Sequence, residues 1–290
     1  MQRPSNVPTN YVTTPFGYFN PSCVYLVAEG DTLLPDGSIQ HPDGSVNPAS
    51  ICNYPHYTST GEIVPLDSKA LDKTRPPEIS GWLEYVSVTT TTAYGKISAT
   101  WTVPPSPESN DGQVLFFFPG LEDIDHVVSI VQPVLQWGDN GYFGGAYWTF
   151  ASWNCCISNG AWFSSPIDVN AGDTLLGGIN SNCKPGGESC TTWNIESEDK
   201  TNDTQTELKQ SPADGQTWNW AFGAVSEDYY LVQCSDFPND SSLTFTVTLF
   251  NQDQKVISNP SWTGTQLISN PNPACNYATE TSATQETVEY

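Results

Sequence analysis

From Gly81 onward, apolar and polar residues alternate in short runs that are separated by turn-forming residues. The clearest run is Leu243–Leu249, where four apolar side chains fall on one face of an extended chain and threonines on the other. Helix signals are scarce, and only short stretches such as Leu66–Leu71 fit a turn or two of helix. The pattern predicts an all-β fold, either a sandwich or a barrel.

The predicted strands all lie between residues 96 and 250. They are Lys96–Val103, Gln113–Phe118, Val127–Trp137, Ala146–Trp153, Thr174–Ile179, Thr191–Glu196, Thr217–Ala224, Asp228–Cys234 and Leu243–Phe250. We therefore divide the chain into an irregular, Pro- and Gly-rich extension (1–80), a β-sandwich domain (81–263) and a polar tail (264–290). The tail after Trp262 is expected to be mobile apart from Cys275.

The N-terminal extension differs from the rest of the chain in charge. Four of the nine basic residues fall in it, at Arg3, Lys69, Lys73 and Arg75. This asymmetry fits a detachable leader that covers a cleft in the acidic domain and is cut near Lys73–Arg75. An ordinary extension packed permanently on the sandwich explains the same pattern.

The cysteines indicate the compartment. There are eight, there is no C-x-x-C pair, and the three histidines are scattered, so the spacing does not favour zinc. We expect disulfides, with Cys23 joined to Cys52 because this segment lacks a core of its own, and with Cys183 and Cys190 also oxidised. Asn202 and Asn239 begin glycosylation sequons. Together these features predict a secreted protein.

Charge narrows the possible partners. The chain has 9 basic and 32 acidic residues and a net charge of −23, whereas binding to a nucleic-acid backbone needs clustered Lys and Arg. No apolar run approaches the length of a membrane span. We expect a monomer that contacts neither nucleic acid nor membrane.

Three common catalytic designs do not fit the sequence. A Ser–His–Asp triad or a cysteine nucleophile needs a positioned histidine, and only His126 lies in the β-rich part. The glycine fingerprints of P-loop and dinucleotide-binding proteins are absent. The remaining candidate groups for catalysis are side-chain carboxylates and amides.

Two amides lie in one strongly β-forming run, Ile130–Trp137. On a strand, Gln132 and Gln136 share a face with Ile130 and Val134. Pro133 cannot donate a ladder hydrogen bond, which predicts an edge strand or a bulge there. The alternative is that both glutamines are solvated residues on an exposed face.

One glutamate lies among apolar and aromatic neighbours. In a continuous strand, Glu227 shares a face with Val225, Tyr229 and Leu231, and such a setting would raise the pKa of its carboxyl group. The alternative is that Glu227 and Asp228 form a solvated loop pair. The carboxylates Glu122, Asp123 and Asp125 follow another strand and have a calcium-site alternative, although such residues are more often solvated.

Four segments between about Trp82 and Pro238 resemble the glutamic peptidase (eqolisin) family of acid proteases. They are Ile97–Pro104, Ser129–Gln132, Phe163–Asp173 and Ala224–Glu227. The resemblance implies a concanavalin-like sandwich of two curved antiparallel sheets with a cleft on the concave face. There is also a more distant likeness to neprosin-type prolyl endopeptidases, which use two glutamates.

The resemblance also implies a catalytic dyad of Gln132 and Glu227, which cleaves polypeptides with an activated water and without metal or cofactor. In acid, Glu227 takes a proton from the attacking water, and the Gln132 amide stabilises the oxyanion. Gln136 is a rival for the amide role. Substrate subsites are expected at Gln136 and at four tryptophans, for which core packing is the alternative: Trp137, Trp148, Trp153 and Trp220.

Two other functions remain open at this point. Tryptophans on a concave sheet also stack on sugar rings, which would make the chain a lectin-like carbohydrate-binding module. A glycan hydrolase or lyase would pair Glu227 with Glu122 or Asp125.

Overall fold

The computed structural model describes residues 3–48, 51–66, 81–125, 130–156, 159–182, 192–212, 218–267 and 273–290. The N-terminal strands are β1 Val12–Thr14, β2 Gly17–Phe19, β3 Val24–Val27, β4 Thr32–Leu33, β5 Ile39–Gln40, β6 Val46–Asn47, β7 His56–Tyr57 and β8 Ile63–Val64. The others are β9 Trp82–Thr89, β10 Tyr94–Thr102, β11 Val114–Glu122, β12 Ile130–Trp137, β13 Trp148–Cys155, β14 Ala161–Ser164, β15 Ile167–Val169, β16 Thr174–Ser181, β17 Thr192–Asp199, β18 Thr204–Pro212, β19 Trp220–Tyr229, β20 Ser242–Asn251, β21 Thr263–Gln266, β22 Ala278–Thr281 and β23 Gln285–Glu289. Short 3₁₀ turns cover Pro21–Cys23 and Cys234–Asp236.

The described residues form two large sheets and one small one. The first large sheet has the order β21-β9-β19-β11-β12-β13-β14-β3, with β15 also paired to β13, and we call it the nine-stranded sheet. The second has the order β22-β23-β20-β10-β16-β17-β18-β4-β5-β6, and the small sheet has the order β1-β2-β7-β8. The all-β sandwich expected from the sequence is confirmed.

The main core lies between the two large sheets. Strand β20 contributes Phe245 and Val247, while its threonines point outward, as the alternation predicts. Strand β12 contributes Val131 and Leu135. Its other face carries Gln132, which therefore points away from the main core.

Three expectations about local structure are corrected. Thr217–Ala224 and Asp228–Cys234 are not two strands, because β19 runs continuously over Trp220–Tyr229 and ends where Tyr230 adopts a φ of 66°. The tail is not a mobile appendage in its described part, because β23 pairs with β20 and buries Val288 completely. Strand β12 is not an edge strand, since β11 and β13 pair with it on both sides.

The N-terminal extension adds strands to both large sheets and forms the small sheet by itself. Strand β3 pairs in parallel with β14, and β4 pairs in parallel with β18. Val27 and Leu33 enter the main core. The small sheet lies instead against the outer face of the nine-stranded sheet, the side that the resemblance implies to be concave, where Phe16 and Tyr18 belong to a second buried cluster.

The disulfides partly match the expectation. Cys23 and Cys52, expected as a pair, are joined. The structure also joins Cys234 to Cys275, and Cys155 to its neighbour Cys156. Other expectations concern segments outside the described residues: Cys183 and Cys190, His126, the junction Lys73–Arg75, and the Leu66–Leu71 turn beyond its first residue. Among the described residues, no helical segment has the length and apolar character needed to cross a membrane.

Candidate functional site

Neighbouring strands arrange the concave face in rows. Glu227 on β19 lies opposite Phe116 on β11, and Phe116 lies opposite Gln136 on β12. Gln132 lies opposite Trp153 on β13. Because directly paired residues share a face of a sheet, both glutamines and Glu227 point to the concave side.

Glu227 is completely buried within this face. Burial raises the pKa of its carboxyl group well above the usual value; a hydrogen bond with the Tyr229 hydroxyl lowers it, and the Asp228 charge adds to the rise. A Cβ on Gly81 would come within 2.6 Å of Glu227 Oε1, so only glycine allows the chain to pass this close to the carboxylate.

Gln132 is also completely buried, and neither amide atom has a hydrogen-bond partner. The ladder beside it is interrupted, since the flanking pairs Phe117–Leu135 and Leu121–Val131 place Pro119 opposite Pro133. Proline has no N–H to donate to a ladder. The bulge expected at Pro133 is therefore wrong as well, because the register is the same on both sides of Pro133; what occurs instead is a gap in the β11–β12 pairing next to Gln132.

Gln136 differs from Gln132 because its amide is occupied. Its Nε2 donates to the carbonyl oxygens of Gly138 (2.9 Å) and Phe143 (3.3 Å). Its Oε1 accepts a hydrogen bond from Asn140 Nδ2 (3.1 Å). Gln136 thus stabilises the loop that follows β12, whereas the amide of Gln132 has no hydrogen-bond partner and is free to bind another group.

The three candidate polar residues do not lie in one row. Gln136 is level with Glu227, two strands away, which corresponds to about 10 Å across the sheet. Gln132 is four residues farther along β12, about 13 Å along the strand direction. Glu227 is thus level with Gln136, whose amide is hydrogen-bonded, whereas Gln132, whose amide has no hydrogen-bond partner, lies four residues farther along β12.

Aromatic rings line this face, but only some of the expected tryptophans contribute. Trp153 stacks with Phe163 (4.9 Å between ring centroids) and with Phe143 (6.0 Å), and Trp220 packs on Phe222 at the end of β19. Trp137 and Trp148 are not subsite residues. They contact each other (5.2 Å) in the main core, because their strand positions point between the two large sheets.

The N-terminal segment covers the concave face. We call residues 3–23 and 52–66 the N-terminal cover. The Phe16 ring lies against Trp153 (6.0 Å), and the Tyr18 ring lies against Tyr229 (5.3 Å). The backbone N–H of Thr13 donates to the Asn140 carbonyl oxygen (2.9 Å). The sequence did not point to Phe16 and Tyr18, although their aromatic character in a Pro- and Gly-rich segment was a usable signal.

Arg3 fastens the N-terminal cover at its start. Its guanidinium donates to the carbonyl oxygens of Pro8 and Tyr11, both at 2.8 Å, and to the Tyr230 hydroxyl at 3.1 Å. The same group lies 5.0 Å from the centre of the Tyr18 ring. These contacts tie the cover to the residue that follows β19, close to Glu227.

The carboxylates after β11 do not join the site. Glu122 is six residues from Phe116 along β11, or roughly 20 Å, whereas paired glycosidase carboxylates lie within about 10 Å of each other. Asp125 follows in the next loop, where its N–H donates to Asp123 Oδ1. The pairing of Glu227 with Glu122 or Asp125 is therefore wrong. No group of three or more potential ligands that could hold a metal occurs among the described residues.

The two sequons occupy different surroundings. The Asn202 amide donates to Asp173 Oδ2 (3.0 Å) and Asp199 Oδ2 (2.7 Å), so it is part of a turn network. Asn239 makes one longer contact, to Glu108 Oε1 (3.4 Å). Asn239 is therefore the less committed of the two side chains.

The fold is similar to those of solved glutamic peptidases. Scytalido-glutamic peptidase with a peptide-based transition state analog matches with a TM-score of 0.52 and 16% identity, over 72% of this chain and 98% of that chain. SCP-B, a member of the Eqolisin family of peptidases in complex with the tripeptide Ala-Ile-His, matches with a TM-score of 0.51, the same identity and the same coverage. No protein-family model and no curated protein sequence matches this chain.

Proposed function

We propose that this chain is an acid endopeptidase in which Glu227 is the general base and Gln132 the amide that stabilises the oxyanion. The observation that carries the proposal is the state of these two side chains. Both are completely buried on the same face of the sheet. The Gln132 amide has no hydrogen-bond partner, and burial raises the pKa of the Glu227 carboxyl group well above its usual value. Buried polar groups are almost always paired, so an unpaired amide and a desolvated carboxyl group on the same face call for a functional explanation.

The chemistry follows from the properties of the two groups. Once the cleft is hydrated and Glu227 is ionised, its carboxylate takes a proton from a water molecule as the water oxygen attacks a peptide carbonyl carbon. The Gln132 N–H donates to the carbonyl oxygen as it becomes negative. For this, Gln132 has to close the roughly 13 Å along the strand direction that separates it from the row of Glu227, whereas Gln136, the alternative amide, is already level with Glu227. Glu227 then returns the proton to the leaving nitrogen. The proposed substrate is an extended polypeptide, bound along the ring wall that contains Trp153.

The test is cleavage of denatured casein at pH 3–4 by the natural chain and by Gly17→Ala, which disturbs the N-terminal cover because the added Cβ meets the Tyr57 carbonyl. Glu227→Gln, made in the more active of the two, should lower turnover by at least ~10²-fold, because an amide cannot accept the proton. Folding should survive, since removing a buried carboxylate opens no cavity. Glu122→Gln, a buried glutamate distant on the same sheet, is the matched control and should keep its activity.

Three outcomes would count against this assignment. Near-normal turnover of Glu227→Gln would remove Glu227 from the mechanism. Loss of cleavage on addition of a chelator would indicate a metal-dependent reaction. Glycan binding without any cleavage would favour the lectin-like alternative. Gln132→Ala and Gln136→Ala, assayed side by side, decide which amide serves the reaction.

The compartment, the modification and the neprosin likeness belong to the same proposal. We propose a secreted, monomeric enzyme, supported by the disulfides at Cys23–Cys52 and Cys234–Cys275. Glycosylation is proposed at Asn239 and Asn202, with higher occupancy at Asn239 because its amide is less engaged. Mass spectrometry of the secreted chain measures both occupancies. The more distant likeness to neprosin-type enzymes stays a prediction.

A further inference from the structure

The concave face is closed, although it carries the groups proposed to act on a substrate. Gln132 and Glu227 are both completely buried, and so are Trp153 and Phe116 beside them. Their cover is not the second large sheet, which packs against the opposite face. It is the N-terminal cover, whose aromatic residues complete the second buried cluster.

The cover contacts a neighbour of each proposed catalytic residue. Phe16 lies against Trp153, which is the direct cross-strand neighbour of Gln132. Tyr18 lies against Tyr229, two residues from Glu227 on the same face of β19. The three-residue stretch Phe16–Tyr18 therefore packs on a ring beside the amide and on a ring beside the carboxylate.

We propose that the N-terminal cover is an intramolecular inhibitor that occupies the substrate cleft through Phe16 and Tyr18, and that the opened cleft prefers polypeptides with aromatic side chains at these two subsites. The preference for aromatic side chains rests on the proposed peptidase function. Occupation of the cleft by Phe16 and Tyr18 does not depend on any reaction, because it is measured by the access of side chains to solvent.

The arrangement of covalent links allows such a cover to lift. The disulfide Cys23–Cys52 closes the cover on itself and does not bond it to the sandwich. Residues 24–48, between the two halves of the cover, stay anchored because β3 and β4 pair with the large sheets. Opening thus requires the loss of ring contacts and a few hydrogen bonds, while the main core can stay intact.

The closed cover also affects the chemical state of the cleft. Burial holds the pKa of Glu227 well above its usual value, which favours the protonated form that cannot act as a base. Lifting the cover would admit water to the carboxylate and remove this cause. The cover therefore excludes substrate and keeps the proposed base neutral through the same contacts.

The experiment uses the full chain with Gly17→Ala and a matched control, Gly44→Ala. Both glycines have positive φ, +104° and +85°. A Cβ at Gly17 would collide with the backbone carbonyl of Tyr57 inside the cover, whereas a Cβ at Gly44 meets nothing within 4 Å. Both substitutions carry the strain of a left-handed residue, but only Gly17→Ala acts on the cover.

Side-chain access is read by hydroxyl-radical footprinting, residue by residue. In Gly17→Ala, oxidation at Trp153 and Tyr229 should rise by about tenfold. The backbone strain of a left-handed alanine is relieved when the cover lifts, and it corresponds to about that factor in the population of open molecules. Trp148, in the main core, should stay protected. Gly44→Ala should match the natural chain. Unchanged protection of Trp153 and Tyr229 in Gly17→Ala would overturn the proposal.

Hydrolysis of aromatic-rich and aromatic-poor peptides is measured on the same samples. A parallel rise in cleavage, larger for the aromatic-rich peptide, supports both the cover and the peptidase assignment. Increased access without any cleavage leaves occupation of the cleft standing and defeats the peptidase function and the substrate preference. Full cleavage by the natural chain, equal to that of Gly17→Ala, defeats the inhibitor.

A second variant covers the case in which Gly17→Ala unfolds and exposes Trp148 as well. The double change Phe16→Ala and Tyr18→Ala removes the two ring contacts without backbone strain. It should give the same access at Trp153 and Tyr229 while Trp148 stays protected. Retained protection at both cleft residues in this variant would reject the proposal.

Discussion

The two faces of the nine-stranded sheet are both buried but differ in their chemistry. Along β12, the inward positions Val131 and Leu135 meet the second large sheet, and the outward positions Gln132 and Gln136 meet the N-terminal cover. The inward positions of this strand are apolar, whereas its outward positions include two amides, and neighbouring strands add Glu227 and aromatic rings to the same face. Burial alone therefore does not tell the two faces apart. The inward face forms the main core, whereas the outward face is suited to bind a segment that another polypeptide can replace.

The contrast between an apolar interior and a polar outer face does not hold near strands β22 and β23, where the interior of the sandwich also contains carboxyl groups. Glu286 on β23 packs against Gly223, where a Cβ would come within 2.7 Å of its Cγ. Glu84 on β9 pairs opposite Ser226. Burial raises the pKa of Glu286 to about 8, and burial together with the Glu289 charge raises that of Glu84 to about 9.

The largest expected effect is a loss of stability in alkali, caused by these interior carboxyls. In the unfolded chain both carboxyl groups ionise near pH 4.5, whereas in the folded chain they stay protonated until the pH reaches about 8 and about 9. The free energy of unfolding is therefore full below about pH 4.5 and falls as the pH rises to about 9. The full shift at Glu84 alone corresponds to roughly 6 kcal/mol. Urea unfolding between pH 4 and 9 measures this slope.

The matched variants are Glu84→Gln and Glu286→Gln, which keep shape but cannot ionise. Each should flatten the pH dependence of the free energy of unfolding. Profiles that run parallel to that of the natural chain would show that the interior carboxyls do not control stability.

The next effect compares two adjacent phenylalanines on opposite faces of β11. Phe117 lies in the main core and Phe116 under the N-terminal cover, and both are completely buried. Phe117→Ala should lower the free energy of unfolding by about 3–5 kcal/mol, as for a rigid core. Phe116→Ala should cost less, because the cover can settle into the space or lift. Urea titrations measure both values, and equal losses would mean that the cover is as rigid as the core.

The smallest effect separates the two glutamines of β12. Gln136→Met removes three hydrogen bonds that hold the following loop, at a cost of about 1–3 kcal/mol. Gln132→Met removes an amide without partners and should leave stability unchanged or slightly higher. Thermal melts of the two variants measure the difference. A destabilised Gln132→Met would reveal a structural role for this amide and weaken its assignment to catalysis.

Much of the fold was predictable from the sequence because alternation with a period of two directly encodes which residues share a face. It correctly separated Gln132 and Gln136 from Val131 and Leu135, and it identified the all-β class. The pairing of Cys23 with Cys52 was also expected, from the absence of a local core. The prediction failed at β19, where a break was placed after Ala224 although one strand runs continuously over Trp220–Tyr229.

The sequence by itself determined the strands, their two-sidedness and the acidic, disulfide-bonded character of the chain. Only the tertiary structure decided what lies on each face. It placed Trp137 and Trp148 in the main core, Trp153 on the opposite face of the sheet, and Phe16 and Tyr18 against Trp153 and Tyr229. The physical reason is that alternation is a local property of a strand, whereas the partner of a face is set by contacts between segments more than a hundred residues apart.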